Sequence, residues 1–454
     1  MRETVVAIMN QANNPGMVAY LDSASGHPNA DDYWPLPLDA SLMPPLDTSI
    51  NVTAYGTAVR EALSNHPAIR HELVEIFGLA LPERSTLKFL IRAPNAERLR
   101  WETLYSDAPA RFLAISDICT ISRVTPAKIG PGLRAFAYPL RMAAFLSAAG
   151  IEARAEVEKI CGQVVAARAN GLELECTVYL GEQQLLDDYQ KEIAHGALKD
   201  KGVTIEPIPG TAIDIENFLK NAPIQFLHFF CHGIERTGVQ GLSLATINDH
   251  DKNDANGNAA AASIFLSVDA LSEALALNTS IWITVLNSCS GAQVMQQLNS
   301  VALNVAKKGC PYTVGMAEPI DSVAATTFSE AFYGELFAIV TNNLAAGAAD
   351  APLMLDLSPA VIPARKIIHD HCCNAAPDAF GRWLLPLLYQ RIQQPLVVQS
   401  IPPAEAKRIQ EIARTLRSMS SDTPVELRDQ ILAILDKEPA VPMKLRPNRY
   451  GAFV

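Results

Sequence analysis

Phe226-Leu-His228-Phe-Phe-Cys231-His232-Gly233 is an apolar run that breaks at a histidine–glycine pair. Trp282-Ile-Thr-Val-Leu-Asn287-Ser288-Cys289-Ser290-Gly291 is a second such run, breaking at a cysteine–serine–glycine turn. Similar runs occupy Leu87–Ile91, Leu133–Ala137, Leu172–Leu180 and Leu384–Tyr389. Runs of about five to nine residues, apolar on both faces, belong in sheets covered on both sides. Amphipathic segments separate them: Asp187–His195, Asp214–Leu219, Val294–Ala306 and Ser322–Phe337, the last with Ala324, Phe328, Ala331 and Leu336 on one side. The alternation predicts an α/β fold, a doubly wound and mostly parallel sheet flanked by helices. No repeat at periods of about 20–50 residues is present, which argues against a solenoid.

The chain has 454 residues, 49% hydrophobic and 19% charged, enough apolar surface for a large core in two or three domains. Its net charge of −11 argues against nucleic acid as the principal partner, since phosphates demand a basic face. No apolar run approaches about 18–20 uncharged residues, so no membrane span is expected. The start, Met1 to Met9, is a short apolar run carrying an acid and does not read as a secretory signal. Eight cysteines are sparse, and Cys161, Cys176, Cys231 and Cys310 sit inside apolar stretches, as expected for reduced thiols of a cytoplasmic protein.

Asn248–Ala262 reads as a polar surface loop; aligned as a calcium loop it would put Lys252 and Ser263 where carboxylates are required. After Ser400-Ile-Pro-Pro the pattern changes. Ile409, Ile412, Leu416 and Met419 form one helical stripe, and Thr423-Pro424-Val-Glu426 starts a second helix. This tail, residues 401–454, carries 9 basic and 7 acidic residues and reads as an appended helical extension.

In open parallel sheets the functional crevice lies beyond the carboxyl ends of the strands. A histidine and a cysteine at the ends of neighbouring strands would share it. A thiol attacks as thiolate, and an imidazole can take its proton and return one to the leaving amine. Gly233 leaves room for an incoming peptide; its N–H and that of Cys289 are the natural oxyanion donors. Taken singly, a buried core cysteine and a hydrogen-bonded histidine explain each residue better; together, at matching strand ends, they raise a Cys–His pair to an equal reading. His228 lies within the strand and reads as a packed core residue, and Cys231 as buried and inert. His369-Asp370-His371-Cys372-Cys373 has metal-ligand residue types, but no second pair stands at finger spacing, so no metal is assigned.

The His-Phe-x-Cys-His-Gly pattern over 228–233, followed by a strand ending Leu-x-Ser-Cys, resembles the CHAT domain, a branch of the caspase- and separase-like cysteine peptidases. Flanking stretches resemble it too: Asn51–Leu63, Ala96–Leu104 with Trp101-Glu102, Ala306–Gly315, Pro319-Ile-Asp321 and Trp383–Tyr389. The resemblance spans about residues 50–398. It implies a non-catalytic α/β half at 1–130, a caspase-like peptidase domain at 131–398, His232 as general base and Cys289 as nucleophile, with Gly233 and Cys289 forming the oxyanion hole. Asp321, Glu318 and Glu235 are the candidates to line the pocket for the residue before the cut bond, where an acid would favour Arg or Lys; the resemblance leans toward Asp321, which an ordinary helix N-cap explains nearly as well. No metal or organic cofactor is implied. The family's activity also implies a protein substrate, a separate activating protein and a bacterial defence or cell-death context. Ser290-Gly291 departs from the Glu-Thr usual after the cysteine, and Arg100 replaces the usual proline, a change expected to matter to packing alone. The rivals are a catalytically silent scaffold acting by protein binding, and another thiol enzyme such as an amidase. Lys252, the one basic residue of the 248–262 loop, marks an expected processing or gating point.

Overall fold

The computed structural model describes residues 2–11, 16–22, 29–39, 41–125, 133–194, 196, 198–250, 262–288, 298–318, 320–346, 352–375, 380–391, 396–420, 422–436 and 446–451. The chain opens with β1 (Arg2–Asn10), β2 (Met17–Leu21), β3 (Trp34–Leu36), α1 (Ser49–Ser64), α2 (Pro67–Gly78), β4 (Ser85–Ile91), β5 (Tyr105–Asp107), β6 (Ala110–Phe112) and β7 (Cys119–Thr125). Next come β8 (Leu133–Phe136), β9 (Leu140–Leu146), α3 (Arg154–Ala169), β10 (Leu174–Leu180), α4 (Gln183–Ala194), β11 (Val203–Pro207) and α5 (Ala212–Asn221). β12 (Phe226–Arg236), β13 (Val239–Leu244), α6 (Ile247–His250), β14 (Ile264–Ser267), α7 (Val268–Leu277), β15 (Ile283–Ser288), α8 (Leu298–Lys308), β16 (Tyr312–Met316) and α9 (Ser322–Ala346) follow. The last elements are β17 (Leu353–Leu355), α10 (Val361–Ala375), β18 (Pro386–Arg391), β19 (Leu396–Ser400), α11 (Pro403–Ser418) and α12 (Val425–Asp436).

The main sheet has the order β11-β10-β9-β12-β15-β16-β18-β7-β4-β1-β2-β3. It is built of two parallel blocks. β11 through β16 run one way, β18, β7, β4 and β1 run the other, and the blocks meet at the antiparallel pair β16–β18. The expected doubly wound, mostly parallel sheet is therefore present. In the first block chain order reverses between β9 and β12, the switch point at which such sheets open a crevice.

Adjacent residues of β12 show why the run had to be apolar on both faces. His228 meets Tyr333 of α9, while Phe229 stacks on Phe145, which in turn meets Phe218 of α5. Helices thus cover both surfaces, and Phe145, Phe226, Phe229 and Trp282 are fully buried between them.

Three expectations change. Leu133–Ala137 is a strand, but β8 pairs with β19 in a separate three-stranded sheet; it is β9, with the Ala-rich Met142-Ala-Ala-Phe145, that lies beside β12. β12 does not end at His232: it leaves the parallel sheet there and continues as a hairpin with β13. Thr237 and Gly238, at φ 50° and 80°, make the turn of that hairpin. Arg100 does more than pack, as described below. The tail forms its own small core, in which Ile401, Ile409, Ile412, Leu416 and Leu435 pack with Leu133 and Ala135 of β8. Among the described residues no helix is long and apolar enough to cross a membrane.

Candidate active site

β12 and β15 pair in parallel from Phe226↔Ile283 to Cys231↔Ser288. His232 is the first residue of β12 beyond that ladder, where the strand turns to pair Ser243 of β13. Ser288 is the last described residue of β15. Cys289, Ser290 and Gly291 lie outside the described residues, as do Lys252 and residues 251–261. The flanks of the latter segment are held by Asp249, whose Oδ2 accepts from Thr246 N (2.6 Å) and Oγ1 (2.9 Å) and from Ser263 N (3.0 Å) and Oγ (2.7 Å).

His232 is partly exposed, and its Nε2 lies 2.7 Å from the carbonyl oxygen of Ala149. A carbonyl only accepts, so Nε2 carries the hydrogen and Nδ1 is the lone-pair nitrogen of the neutral ring. Ala149 belongs to the turn between β9 and α3. Ile151 N donates to Ala148 O at 3.0 Å, and Gly150 at φ 78° is the third residue of the turn. That left-handed third position marks a type II turn, the geometry that presents the Ala149 carbonyl. The two sides of the switch point therefore contribute different parts: β12 the imidazole, the β9–α3 turn its orienting acceptor. Sequence reading missed Ala149 because any residue type can supply a backbone carbonyl; the one available signal was a glycine closely following an apolar run.

Beneath the strand ends lies a fully buried polar cluster. Asn287 Nδ2 donates to Glu156 Oε1 (3.2 Å), Ala325 O (3.1 Å) and Ser329 Oγ (3.1 Å). Ser329 Oγ also donates to Glu156 Oε1, and His228 Nε2 lies 3.1 Å from the same oxygen but off the hydrogen-bond direction. Burial and the nearby Glu156 push the Tyr333 hydroxyl well above its ordinary pKa, so it stays protonated, and it is hydrogen-bonded with His228 Nδ1 at 2.8 Å. Cys231 is fully buried, with its thiol pushed up by that burial.

The acidic residues expected to receive a basic substrate side chain have partners of their own. Asp321 Oδ1 accepts from Ala324 N at 2.9 Å, capping α9, while Oδ2 takes a hydrogen bond from Arg382. Glu318, exposed just past β16, is ion-paired with Arg100. Arg100, Glu318 and Arg382 line one small cavity of about 210 Å³. Glu235 is exposed on the β12–β13 hairpin opposite Gln240, and Gly233 pairs with Leu242. A second cavity, about 410 Å³ beneath α11, opens at the amino ends of β9 and β12, away from His232.

The Trp101–Glu102 stretch anchors the other block. Trp101 is buried, stacks on Phe89 and donates from Nε1 to Ala96 O at 3.0 Å. Glu102 and Arg123 form a fully buried pair at 2.9 Å, and Arg123 also reaches Glu97.

Residues 185–355 match the family model of the CHAT domain. Among solved structures, a chain of the Saccharomyces cerevisiae separase–securin complex at 2.6 Å is 14% identical over 76% of this chain and 18% of its own, with a TM-score of 0.33. The 3.0 Å structure of that complex gives 12% identity over 74% and 17%, with a TM-score of 0.30. This chain thus spans less than a fifth of those yeast chains. No curated protein matches.

Proposed function

From the premise that residues 185–355 carry a CHAT domain, of the caspase-like cysteine peptidase family, we propose that this chain is a cysteine endopeptidase acting on protein substrates. Cys289 is the nucleophile and His232 the general base. Gly233 and Cys289 offer backbone N–H groups to the oxyanion, and neither metal nor organic cofactor takes part. His232 Nδ1 takes the thiol proton as Sγ bonds to the peptide carbonyl carbon. The C–N bond then breaks as that proton passes to the amine, and water, deprotonated by His232, releases the acyl group.

The observation that carries this reading is His232 oriented by the Ala149 carbonyl at the switch point, on a strand paired with β15 up to the residue before Cys289. One peptide step of about 3.8 Å separates Cys289 from Ser288, and paired strands lie about 4.8 Å apart. Both distances are short enough for the proposed dyad, which supports the reading. In this reading residues 1–130 form a non-catalytic half, 131–398 the peptidase unit and 401–454 a helical extension. The protein works in the cytoplasm, within bacterial defence or cell death, under a separate activating protein.

The test is mapping of new protein N-termini in a cell lysate treated with the parent, Cys289→Ala and His232→Ala. Cleavages made by the parent and absent with both variants are expected; cleavages that persist in Cys289→Ala overturn the assignment.

A further inference from the structure

Glu156 sits in the first turn of α3, seven residues after Ala149, and its carboxylate is completely buried. A single oxygen, Oε1, serves Asn287 and Ser329 and lies 3.1 Å from His228, while Oε2 has no hydrogen-bond partner among the described residues. The Oδ1 of Asn287 is likewise buried without a partner among them. Unpaired buried acceptors cost free energy, which offsets part of what the cluster's hydrogen bonds contribute. Stability alone therefore does not account for the cluster.

Its placement does. Asn287 is the last residue of β15 with a described side chain, two positions before Cys289, and it is tied at once to α3 and α9. His228 lies four residues, two same-face steps, before the turn-off of β12 at His232 and is held by Tyr333 of α9. The short segment from Ala149 to Glu156 thus grips both strands: its carbonyl orients the imidazole and its carboxylate anchors the end of β15.

We infer that Glu156 is a positioning residue of the thiol site, setting the end of β15 against His232 through Asn287. This rests on the peptidase reading. The residue touches no substrate; it acts through the asparagine.

The test uses Glu156→Met and Glu156→Gln in the full chain, with tripeptidyl acyloxymethyl ketones ending in Arg, Leu or Asp as probes. The inactivation rate at saturating probe, the probe affinity and the melting temperature are measured separately. A misplacement of about 1 Å costs on the order of 10²-fold in rate. The expected result for Glu156→Met is a loss of that order in inactivation rate with affinity held, while Glu156→Gln, whose amide oxygen still accepts from Asn287 and Ser329, stays near the parent. Ser329→Ala removes one donor to Glu156 and serves if Glu156→Met does not fold; it is expected to lose rate without affinity. A parent that shows no Cys289-dependent labelling, either alone or after incubation with lysate of its own host cell, sinks the peptidase reading and this inference with it. A labelled parent whose rate is matched by folded Glu156→Met, or by Ser329→Ala where Glu156→Met does not fold, refutes the inference alone.

Discussion

Gly150→Ala tests whether the β9–α3 turn does what its geometry suggests. Gly150 has φ 78°, a left-handed conformation that costs an L-residue roughly 1–2 kcal/mol. The 2.7 Å bond from His232 Nε2 to Ala149 O is worth about 0.5–1.5 kcal/mol net. The two are comparable, with strain the larger at the middle of each range. Rotating the Ala149–Gly150 peptide from type II to type I relieves the strain, but it swings the carbonyl away from the imidazole. The substitution should leave the fold intact while His232 loses its acceptor. The assay is carboxamidomethylation by iodoacetamide at pH 7.5, read peptide by peptide in a Cys373→Ser background. Cys119, Cys161, Cys176, Cys231, Cys310 and Cys372 are buried, and burial pushes the Cys119 and Cys161 thiols up to about 12. Such thiols are ionised to only about 3 parts in 10⁵ at this pH, against roughly one-tenth for an ordinary thiol near 8.5. Cys289 should therefore react first. An imidazole that makes it fully thiolate raises its rate at most about tenfold over an unassisted thiol, so Gly150→Ala should lower the rate by up to that factor, toward the His232→Ala value. An unchanged rate, with ¹⁵N spectra still showing the proton on Nε2 of His232, would refute the reasoning.

Two further perturbations probe the surroundings. Arg123→Met strands the fully buried Glu102 carboxylate and should cost about 3–5 kcal/mol in urea unfolding. In the parent, burial pushes the Glu102 carboxyl up but the Arg123 charge and hydrogen bonds outweigh it, leaving the pKa below its ordinary value. This contribution is present above the unfolded carboxylate pKa and disappears as pH falls through the lowered one, so the gap between parent and Arg123→Met should narrow in acid. For Asp249, burial raises the pKa but the Ser263 and Thr246 hydrogen bonds more than offset it, lowering the value. The Asp249 link between Thr246 and Ser263 should accordingly hold at neutral pH and weaken as pH drops below the ordinary carboxylate range. Proteolysis between residues 246 and 263 should rise in acid in the parent, and at neutral pH in Asp249→Ala; a flat profile in both would dismiss the clamp.

What the amino-acid order determined by itself was the layered architecture and the meeting of two runs. Apolar residues on both faces of 226–231 and 283–288 leave a strand nowhere to go except the middle of a covered sheet, and the equal offset of His232 and Cys289 from those runs follows from register. Residue type also carried the helical stripe of Ile409, Ile412 and Leu416, which packs as its spacing demands. Tertiary structure decided the rest, because the groups involved are either backbone atoms or side chains distant in sequence. Ala149 acts through a carbonyl that every residue has, and Glu156 meets Asn287 across 131 positions. The pairing of Glu318 with Arg100, 218 residues away, likewise could not be read from the residues around either. Periodicity describes what a segment must bury, whereas hydrogen bonds and ion pairs between distant segments form only once the sheet has set their distance and angle.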